Sequence, residues 1–164
     1  MVQAKAIDQV RKSGVELHPL AGIPISIKDL FDVAGEITLS GSLVRRKSAP
    51  AKSDAHIVSK LRAAGAILIG RTNMTEFAFS GLGINPHYGT PLNPWDRKMG
   101  RIPGGSSSGA AISVTDNMAA AAIGTDTGGS VRIPSALCGL TGFKPTAARA
   151  VSYTHLTLPT RRFV

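Results

Sequence analysis

Two short apolar segments constrain the fold of this 164-residue chain more than any other feature of its sequence. Residues 23–28 alternate apolar with other side chains, as a β-strand does, and residues 66–70 form a wholly apolar run typical of a buried strand. Between them, an apolar stripe at helical spacing predicts a helix that is capped by Asp54 and ended by Gly65. Because strands alternate with helices, we expect an α/β layer fold with a largely buried sheet.

The next part of the chain predicts shorter elements around one long loop. Asn73 followed by Glu76 has the spacing of a capping box and predicts a short helix through Phe79. Residues 80–105 are rich in Gly, Pro and Asn and predict an irregular but ordered loop, of a length more common in loops that form sites. The remaining predicted elements are helices at 107–115 and 130–137 and a strand or helix end at 119–123.

The composition is that of a folded protein with an excess of positive charge. Hydrophobic residues make up 43% of the chain and charged residues 18%, and the formal net charge is +9. Basic proteins can bind nucleic acid, but the densest basic run covers only residues 45–47, and aromatic residues, at 5%, are too few for a base-stacking surface. We therefore interpret the excess charge as solvated surface.

Cysteine, histidine and apolar content exclude three further features. Cys138 is the only cysteine, so an intrachain disulfide is impossible. The four histidines are too scattered for a metal motif, so we expect no metal ion. The first residues lack the apolar core of a signal peptide, and no run is long enough to cross a membrane, so we expect a cytoplasmic protein without a membrane partner.

Two clusters rich in glycine, at 104–109 and 124–130, form the candidate site. A flexible linker is one interpretation of the first cluster, but it has only six residues and runs directly into an apolar segment. A phosphate-binding loop is another, but neither cluster has the Gly-Lys-Ser/Thr ending or the Gly-x-Gly-x-x-Gly spacing of such loops. The same backbone geometry can hold an oxyanion, because glycines let successive N–H groups converge beside the hydroxyl of Ser130.

A serine nucleophile needs a base, and no histidine lies in or beside either cluster. A lysine can serve if burial keeps it neutral, because desolvation disfavours the ammonium form. Lys28, at the end of the first apolar strand, is the lysine best placed for this role. A lysine at a strand end is also a common surface charge, so its position alone leaves both interpretations open.

Several longer motifs, in order along the chain, resemble those of the amidase signature enzymes, which include bacterial amidases, fatty-acid amide hydrolase and the glutaminase subunit of tRNA-dependent amidotransferases. The similar stretch runs from about residue 20 to residue 146. Ser106 and Ser130 also have the separation of 24 positions that the family keeps between its two serines. The motifs are Gly22-Ile23-Pro24-Ile25-Ser26-Ile27-Lys28-Asp29, Gly70-Arg71-Thr72-Asn73-Met74-Thr75-Glu76-Phe77, Asn93-Pro94-Trp95-Asp96, the two glycine-rich clusters and Gly142-Phe143-Lys144-Pro145-Thr146.

The resemblance implies a Ser–Ser–Lys triad that works without a cofactor or metal. Ser130 is then the nucleophile that accepts the acyl group, Ser106 is a bridging serine in a cis peptide, and Lys28 is the base. The implied oxyanion hole consists of the backbone N–H groups of Thr127, Gly128, Gly129 and Ser130.

Asp126 and Arg132 flank the implied nucleophile and have two interpretations. They can shape the site by contacting the substrate, or they can form a buried pair that supports the loop. We favour the second interpretation.

The resemblance also implies a fold and a boundary. Family members have a mixed β-sheet core covered by helices on both faces, and they are considerably longer than this chain. We therefore expect residues 1–150 to be an incomplete core segment of the amidase signature fold. Residues 151–164 match nothing that the family leads us to expect, and we interpret them as a non-native tail.

The expected activity is that of an amidohydrolase, which cleaves carboxylic amide C–N bonds of a small-molecule substrate through an acyl-enzyme. The alternative within the family is the glutaminase subunit of a tRNA-dependent amidotransferase, the one case in which we expect a nucleic-acid partner. Residues 91–96 and 132–139 are more similar to stand-alone amidases. A catalytically inert scaffold with the same fold is a third alternative, and the presence of all three triad residue types argues against it.

Overall fold

The computed structural model describes residues 2–146 of the chain. Helices and strands alternate along this range, which confirms the predicted α/β class. The elements are α1 (Val2–Lys12), β1 (Pro24–Lys28), α2 (His56–Ala63), β2 (Ile67–Thr72), α3 (Ser108–Thr115), β3 (Ala121–Ile123) and α4 (Arg132–Leu137), with 3-10 helices at Leu43–Lys47 and Glu76–Ala78. Within residues 2–146, every helix is too short or too polar to cross a membrane.

The strands form one parallel sheet in which β1 is central, in the order β2-β1-β3. Lys28 of β1 pairs with Thr72 of β2, and Ile27 pairs with Ile123 of β3. Because the carboxyl ends of parallel strands meet at one edge of a sheet, the segments that follow all three strands begin close together. Lys28, the last residue of β1, lies at this edge.

The side chains of β1 alternate between the two faces of the sheet. On one face, β1 and α2 share a hydrophobic core whose buried members are Ile25, Ile27, Val33, Val58, Leu61 and Ala66. On the other face, the hydroxyl of Ser26 lies 2.8 Å from that of Ser113 in α3, and Lys28 points to the same side. Helices therefore cover both faces of the sheet, as predicted.

The predicted cap of α2 is wrong. The helix starts at His56, and its N-cap is Ala55, which has no side-chain cap. Asp54 instead accepts a hydrogen bond from Ala34 N at 2.8 Å and forms an ion pair with Arg62 at 2.9 Å. A carboxylate that ties a neighbouring loop to the helix thus replaces the local cap that the sequence indicates.

Strand β2 is less buried than its apolar sequence predicts. Ile69 is 45% exposed, and a Cβ at Gly70 would meet no atom within 4 Å. Within residues 2–146, β2 pairs with β1 alone and forms an edge of the sheet. The apolar run therefore has one side that no described residue covers.

The predicted helix from Asn73 through Phe79 is also wrong. Only a 3-10 turn at Glu76–Ala78 forms, and Phe77 and Ala78 have positive φ angles of 49° and 60°. Asn73 caps no helix: its Oδ1 accepts the N–H of Met74, and its Nδ2 donates to the Gly89 carbonyl. A local hydrogen bond to Met74 and a long-range one to Gly89 have replaced the capping box.

Residues 80–105 contain no helix or strand, as predicted, and buried polar contacts hold them in place. The amide nitrogen of Asn85 donates to the carbonyls of Gly41 and Met74, each at 2.8 Å. Its amide oxygen accepts two further backbone N–H groups. The predicted tail, residues 151–164, and the end of the core segment at residue 150 lie outside the described residues.

Candidate active site

Lys28 is a buried amine at the carboxyl end of the central strand. Its exposed fraction is 0%. Burial lowers the pKa of Lys28 to about 7, and the Asp126 carboxylate opposes this with a smaller raising effect. Of the two interpretations that the sequence leaves open, the structure supports the buried one. At neutral pH, Lys28 is therefore a neutral amine in a large fraction of the molecules.

Three hydroxyl groups surround the nitrogen of Lys28. The distances from Nζ are 2.6 Å to Ser106 Oγ, 2.7 Å to Thr125 Oγ1 and 3.1 Å to Ser107 Oγ. A hydroxyl donates or accepts, so the same three groups satisfy an ammonium ion or a neutral amine with one free lone pair. The site can therefore hold Lys28 in place while its proton count changes.

Ser106 is fixed by the backbone on both sides of its peptide. The Gly105–Ser106 bond is cis, as the resemblance implies. The Ser106 carbonyl accepts the N–H of Thr75 at 3.1 Å, and Gly105 N donates to the Gly81 carbonyl at 2.7 Å. A Cβ at position 105 would lie 2.6 Å from Gly83 N, so only glycine fits there. The long loop and the first cluster are thus packed backbone against backbone.

Asp126 organises the second cluster. Its carboxylate accepts the backbone N–H groups of Gly129 at 2.7 Å and of Val131 and Arg132 at 3.1 Å each. The Arg132 guanidinium binds the same carboxylate with two nitrogens, at 2.9 and 3.0 Å. Burial raises the pKa of Asp126, but these hydrogen bonds outweigh burial and hold that pKa well below its ordinary value.

The Asp126–Arg132 pair thus supports the loop, as favoured from the sequence, but only one partner is buried. The side chain of Asp126 is 3% exposed and that of Arg132 is 54% exposed. The guanidinium therefore covers the carboxylate from the solvent side. The negative charge of Asp126 is thus neutralised by hydrogen bonds and a guanidinium that come from the same loop, residues 125–132.

Ser130 lies next to the first cluster. Its carbonyl accepts the N–H of Ser107 at 3.1 Å, which links the two clusters. Within residues 2–146, Ser130 Oγ has no hydrogen-bond partner. The structure therefore brings Lys28 and Ser106 into direct contact and places Ser130 beside them, while the hydrogen bond between the two serine hydroxyls is not formed.

One of the four N–H groups assigned to the oxyanion hole already has an acceptor. Gly129 N donates to Asp126, so this N–H is occupied. The N–H groups of Thr127, Gly128 and Ser130 have no partner among the described residues. Of the four N–H groups, only that of Gly129 is thus bound within the part of the chain that the structure describes.

Sequence reasoning missed two groups that contact the lysine, Thr125 and Ser107. Thr125 follows β3 by two residues, and β3 lies beside β1 with Ile123 opposite Ile27. Continuing this register puts Gly124 opposite Lys28 and Thr125 one residue further on, so strand pairing brings the segment to the right edge but does not place the Thr125 hydroxyl on Lys28. That contact depends on the turn that the chain makes after β3. Ser107 is adjacent to Ser106, but its approach to Lys28 depends on the loop conformation, which the sequence does not reveal.

No group of three or more His, Cys, Asp or Glu side chains that could hold a metal ion occurs within residues 2–146. Cys138 is buried and packs with Ala111 and Ile112. Its Sγ donates to the Pro103 carbonyl at 3.3 Å, and burial raises the pKa of the thiol. The thiol is therefore part of the packing between α3 and α4.

Comparisons with known proteins agree with this geometry. The family model described as Amidase matches residues 1–161. The chain is 47% identical over 147 residues to the AtzE subunit of 1-carboxybiuret hydrolase from Pseudomonas sp. strain ADP, covering 90% of this chain and 32% of that protein. It is 46% identical over 153 residues to the A subunit of glutamyl-tRNA(Gln) amidotransferase from Chromohalobacter salexigens, covering 93% of this chain and 31% of that protein.

A solved structure of an s-triazine catabolic enzyme, in an inhibitor-bound complex, superimposes with a TM-score of 0.84 at 45% identity, covering 88% of this chain and 31% of that one. The chain thus spans about a third of the length of the proteins it matches. Sequence and fold agree over almost all of this chain, which is the shorter of the two proteins in each comparison. The chain belongs to the amidase family.

Proposed function

We propose that this segment carries the catalytic triad of an amidohydrolase that cleaves carboxylic amide C–N bonds through an acyl-enzyme. The observation that carries the proposal is the fully buried Lys28, whose Nζ lies 2.6 Å from Ser106 Oγ. A lysine with a pKa of about 7 is a base at neutral pH. Ser130, whose hydroxyl has no hydrogen-bond partner within residues 2–146, is the nucleophile that this base serves.

The geometry supports a two-step reaction. Ser130 Oγ attacks the amide carbonyl while its proton passes through Ser106 to the neutral amine of Lys28. The tetrahedral intermediate then loses its amine, which takes the proton back by the same route. Water attacks the resulting ester, gives its proton to Lys28 through Ser106, and releases the carboxylic acid as the proton returns to Ser130 Oγ.

The oxyanion of the tetrahedral intermediate is stabilised by the N–H groups of Thr127, Gly128 and Ser130. Asp126 holds the loop so that these groups stay in place before the substrate binds, and preorganised donors need no rearrangement during the reaction. Loss of one such donor raises a barrier by about 3 kcal/mol. Gly129 donates no hydrogen bond to the oxyanion, because its N–H is bound by Asp126. Its role is to shape the loop through its φ of 121°, a value that favours glycine.

A second candidate is the glutaminase subunit of a tRNA-dependent amidotransferase, which uses the same amide chemistry. The 46% identity to the A subunit of a glutamyl-tRNA(Gln) amidotransferase favours it. The two functions differ in their partners. A stand-alone amidase hydrolyses small amides by itself, whereas a glutaminase subunit turns over glutamine only with its partner subunits, so glutamine turnover with and without those subunits separates them.

The test of the triad uses a full-length enzyme that contains this segment. Ser130→Ala is expected to abolish amide hydrolysis, and Ser106→Ala and Lys28→Ala are expected to lower kcat/KM by orders of magnitude, because the three groups act as one unit. Ser108→Ala is the matched control: its hydroxyl is buried in the same cluster but has no hydrogen-bond partner among the described residues. Turnover by Lys28→Ala close to that of Ser108→Ala would refute the proposed base.

A further inference from the structure

Ile133 packs between the loop that carries Ser130, residues 125–132, which we call the nucleophile loop, and the first glycine-rich cluster, residues 104–109. A Cβ at Gly129, the residue before Ser130, would lie 2.7 Å from Ile133 Cδ1 and 2.9 Å from Cγ1. The Ile133 side chain therefore packs directly on the backbone of the nucleophile loop. The Ile133 N–H also donates to the Gly129 carbonyl at 2.7 Å, so backbone and side chain are fixed to the same residue.

The same side chain reaches two other segments of the site. A Cβ at Gly81 would lie 3.1 Å from Ile133 Cδ1, and one at Gly104 would lie 3.1 Å from Ile133 Cγ2. Gly81 accepts the N–H of Gly105, the residue that precedes Ser106. Ile133 thus bridges the segments that carry Ser106 and Ser130. At Gly104 it shares the space with Leu137, whose Cδ1 would lie 3.0 Å from a Cβ there.

Ile133 is not sealed between these segments. It is 36% exposed, although it touches all three segments. Leu137, one helical turn further along α4, lies on the same face and is 44% exposed. The helix therefore presents apolar surface next to the nucleophile, and Ile133 is the member of that surface that contacts the nucleophile loop.

We propose that Ile133 is a specificity-determining residue that forms an apolar wall against the acyl group. This inference rests on the proposed function and names its substrate class: amides whose carbonyl carries apolar carbons. The acyl group stays bonded to Ser130 Oγ after the amine leaves, so a side chain of α4 that packs on Gly129, the residue before Ser130, is placed beside the acyl group in both steps. Polar acyl groups would find no hydrogen-bond partner at this wall, because the Ile133 side chain is a hydrocarbon. Burying a polar group without a partner is destabilising.

The test measures kcat/KM for acetamide, propionamide, butyramide and hexanamide in a full-length enzyme that contains this segment. The parent enzyme is expected to gain about fourfold for each methylene that packs on the wall. Ile133→Ala should flatten this dependence, and Ile133→Val should fall between the two. Leu137→Ala is the matched control, because it removes a similar side chain from the same helix face, one that packs on Gly104 as Ile133 does but not on Gly129.

A second readout avoids amide turnover. Ser130 is labelled with ethyl and with dodecyl fluorophosphonates, and the ratio of the two rates is compared among the same variants. Ile133→Ala should lower the dodecyl-to-ethyl ratio, while Leu137→Ala should leave it unchanged. If Ser130 is labelled but the ratio and the amide series are the same in Ile133→Ala and the parent, the wall is refuted and the triad stands. If the parent enzyme neither hydrolyses amides nor is labelled, the proposed function fails and the wall fails with it.

Discussion

Lys28 differs from a surface lysine in two respects: its side chain is fully buried, and three hydroxyls lie within 3.1 Å of its nitrogen. Its type and strand-end position were readable from the sequence. The contacts with Ser107 and Thr125 were not, because they depend on how two loops fold over the sheet edge. The hydrogen bond from Gly129 N to Asp126 could not be predicted either, since the direction of a backbone N–H depends on the dihedral angles of its loop.

The lowered pKa of Lys28 predicts the pH dependence of acylation. The base is the neutral amine, so kcat/KM for an uncharged amide should rise with pH and level off above an apparent pKa near 7. The measurement is a pH profile of kcat/KM between about pH 5.5 and 9 in a full-length enzyme. A profile that still rises steeply above that range would indicate a lysine with its ordinary pKa near 10.5 and contradict the buried base.

The same group predicts a pH dependence of folding stability. Between about pH 7 and pH 10.5 the unfolded chain keeps the lysine protonated while the folded protein does not, so the unfolded state binds more protons. The free energy of unfolding contributed by this site therefore rises with pH across that window, by on the order of 5 kcal/mol, and is constant below it. The measurement compares denaturant midpoints of the full-length parent enzyme and Lys28→Met at several pH values; a difference between them that does not change across this window would contradict the shift.

Among the elements, β1 and α3 set the geometry of the site, because one carries Lys28 and the other follows directly on Ser106 and Ser107. They meet through a buried hydroxyl pair, Ser26 and Ser113. Ser113 Oγ donates to the Ala110 carbonyl at 2.8 Å, so the bond between the two hydroxyls is donated by Ser26. This chain of hydrogen bonds ties the strand face that carries Lys28 to the helix.

We predict that Ser113→Ala destabilises a full-length enzyme by about 1–3 kcal/mol, because it leaves the buried Ser26 hydroxyl without an acceptor. The Ser26→Ala/Ser113→Ala double variant should lose less stability than the sum of the two single losses, since neither partner is then left alone. Chemical denaturation of the four proteins gives the coupling energy. Additive losses would show that the two hydroxyls do not interact.

Periodicity predicted the elements that pack through regular faces and failed where distant segments decide. The helix at His56–Ala63 was predicted because Val58 and Leu61 repeat at helical spacing, and burial of that stripe is what stabilises it. The helix expected after Asn73 does not form, because Phe77 N donates to the Ser40 carbonyl across the fold. Ser40 is distant from Phe77 along the chain, so no local sequence pattern predicts this hydrogen bond.

On the scale of the whole molecule, the described segment leaves much apolar surface uncovered. Phe79, Trp95 and Phe143 are 86%, 73% and 79% exposed, and the edge strand β2 exposes Ile69. The chain also spans about a third of the length of its relatives. Exposed apolar patches and open strand edges promote association, so surfaces of this kind need a cover.

We therefore predict that residues 1–164 expressed alone are poorly soluble or partly unfolded, and inactive although the triad is present. A loosened site admits water, and water restores the ammonium form of Lys28. The measurement is a thermal transition together with an amidase assay on the isolated chain. A cooperative monomer with turnover comparable to that of intact amidases would show that the segment is self-sufficient.

The central claim is that Ser130 is the nucleophile and that Lys28 activates it. The most direct measurement is covalent capture: a full-length enzyme that contains this segment is treated with a fluorophosphonate, digested, and the labelled residue is located by peptide mass spectrometry. The claim predicts one label, on Ser130, formed orders of magnitude more slowly in Lys28→Ala and at the parent rate in Ser108→Ala. A label on Ser107 or Ser108, or a labelling rate at Ser130 that is independent of Lys28, would contradict it.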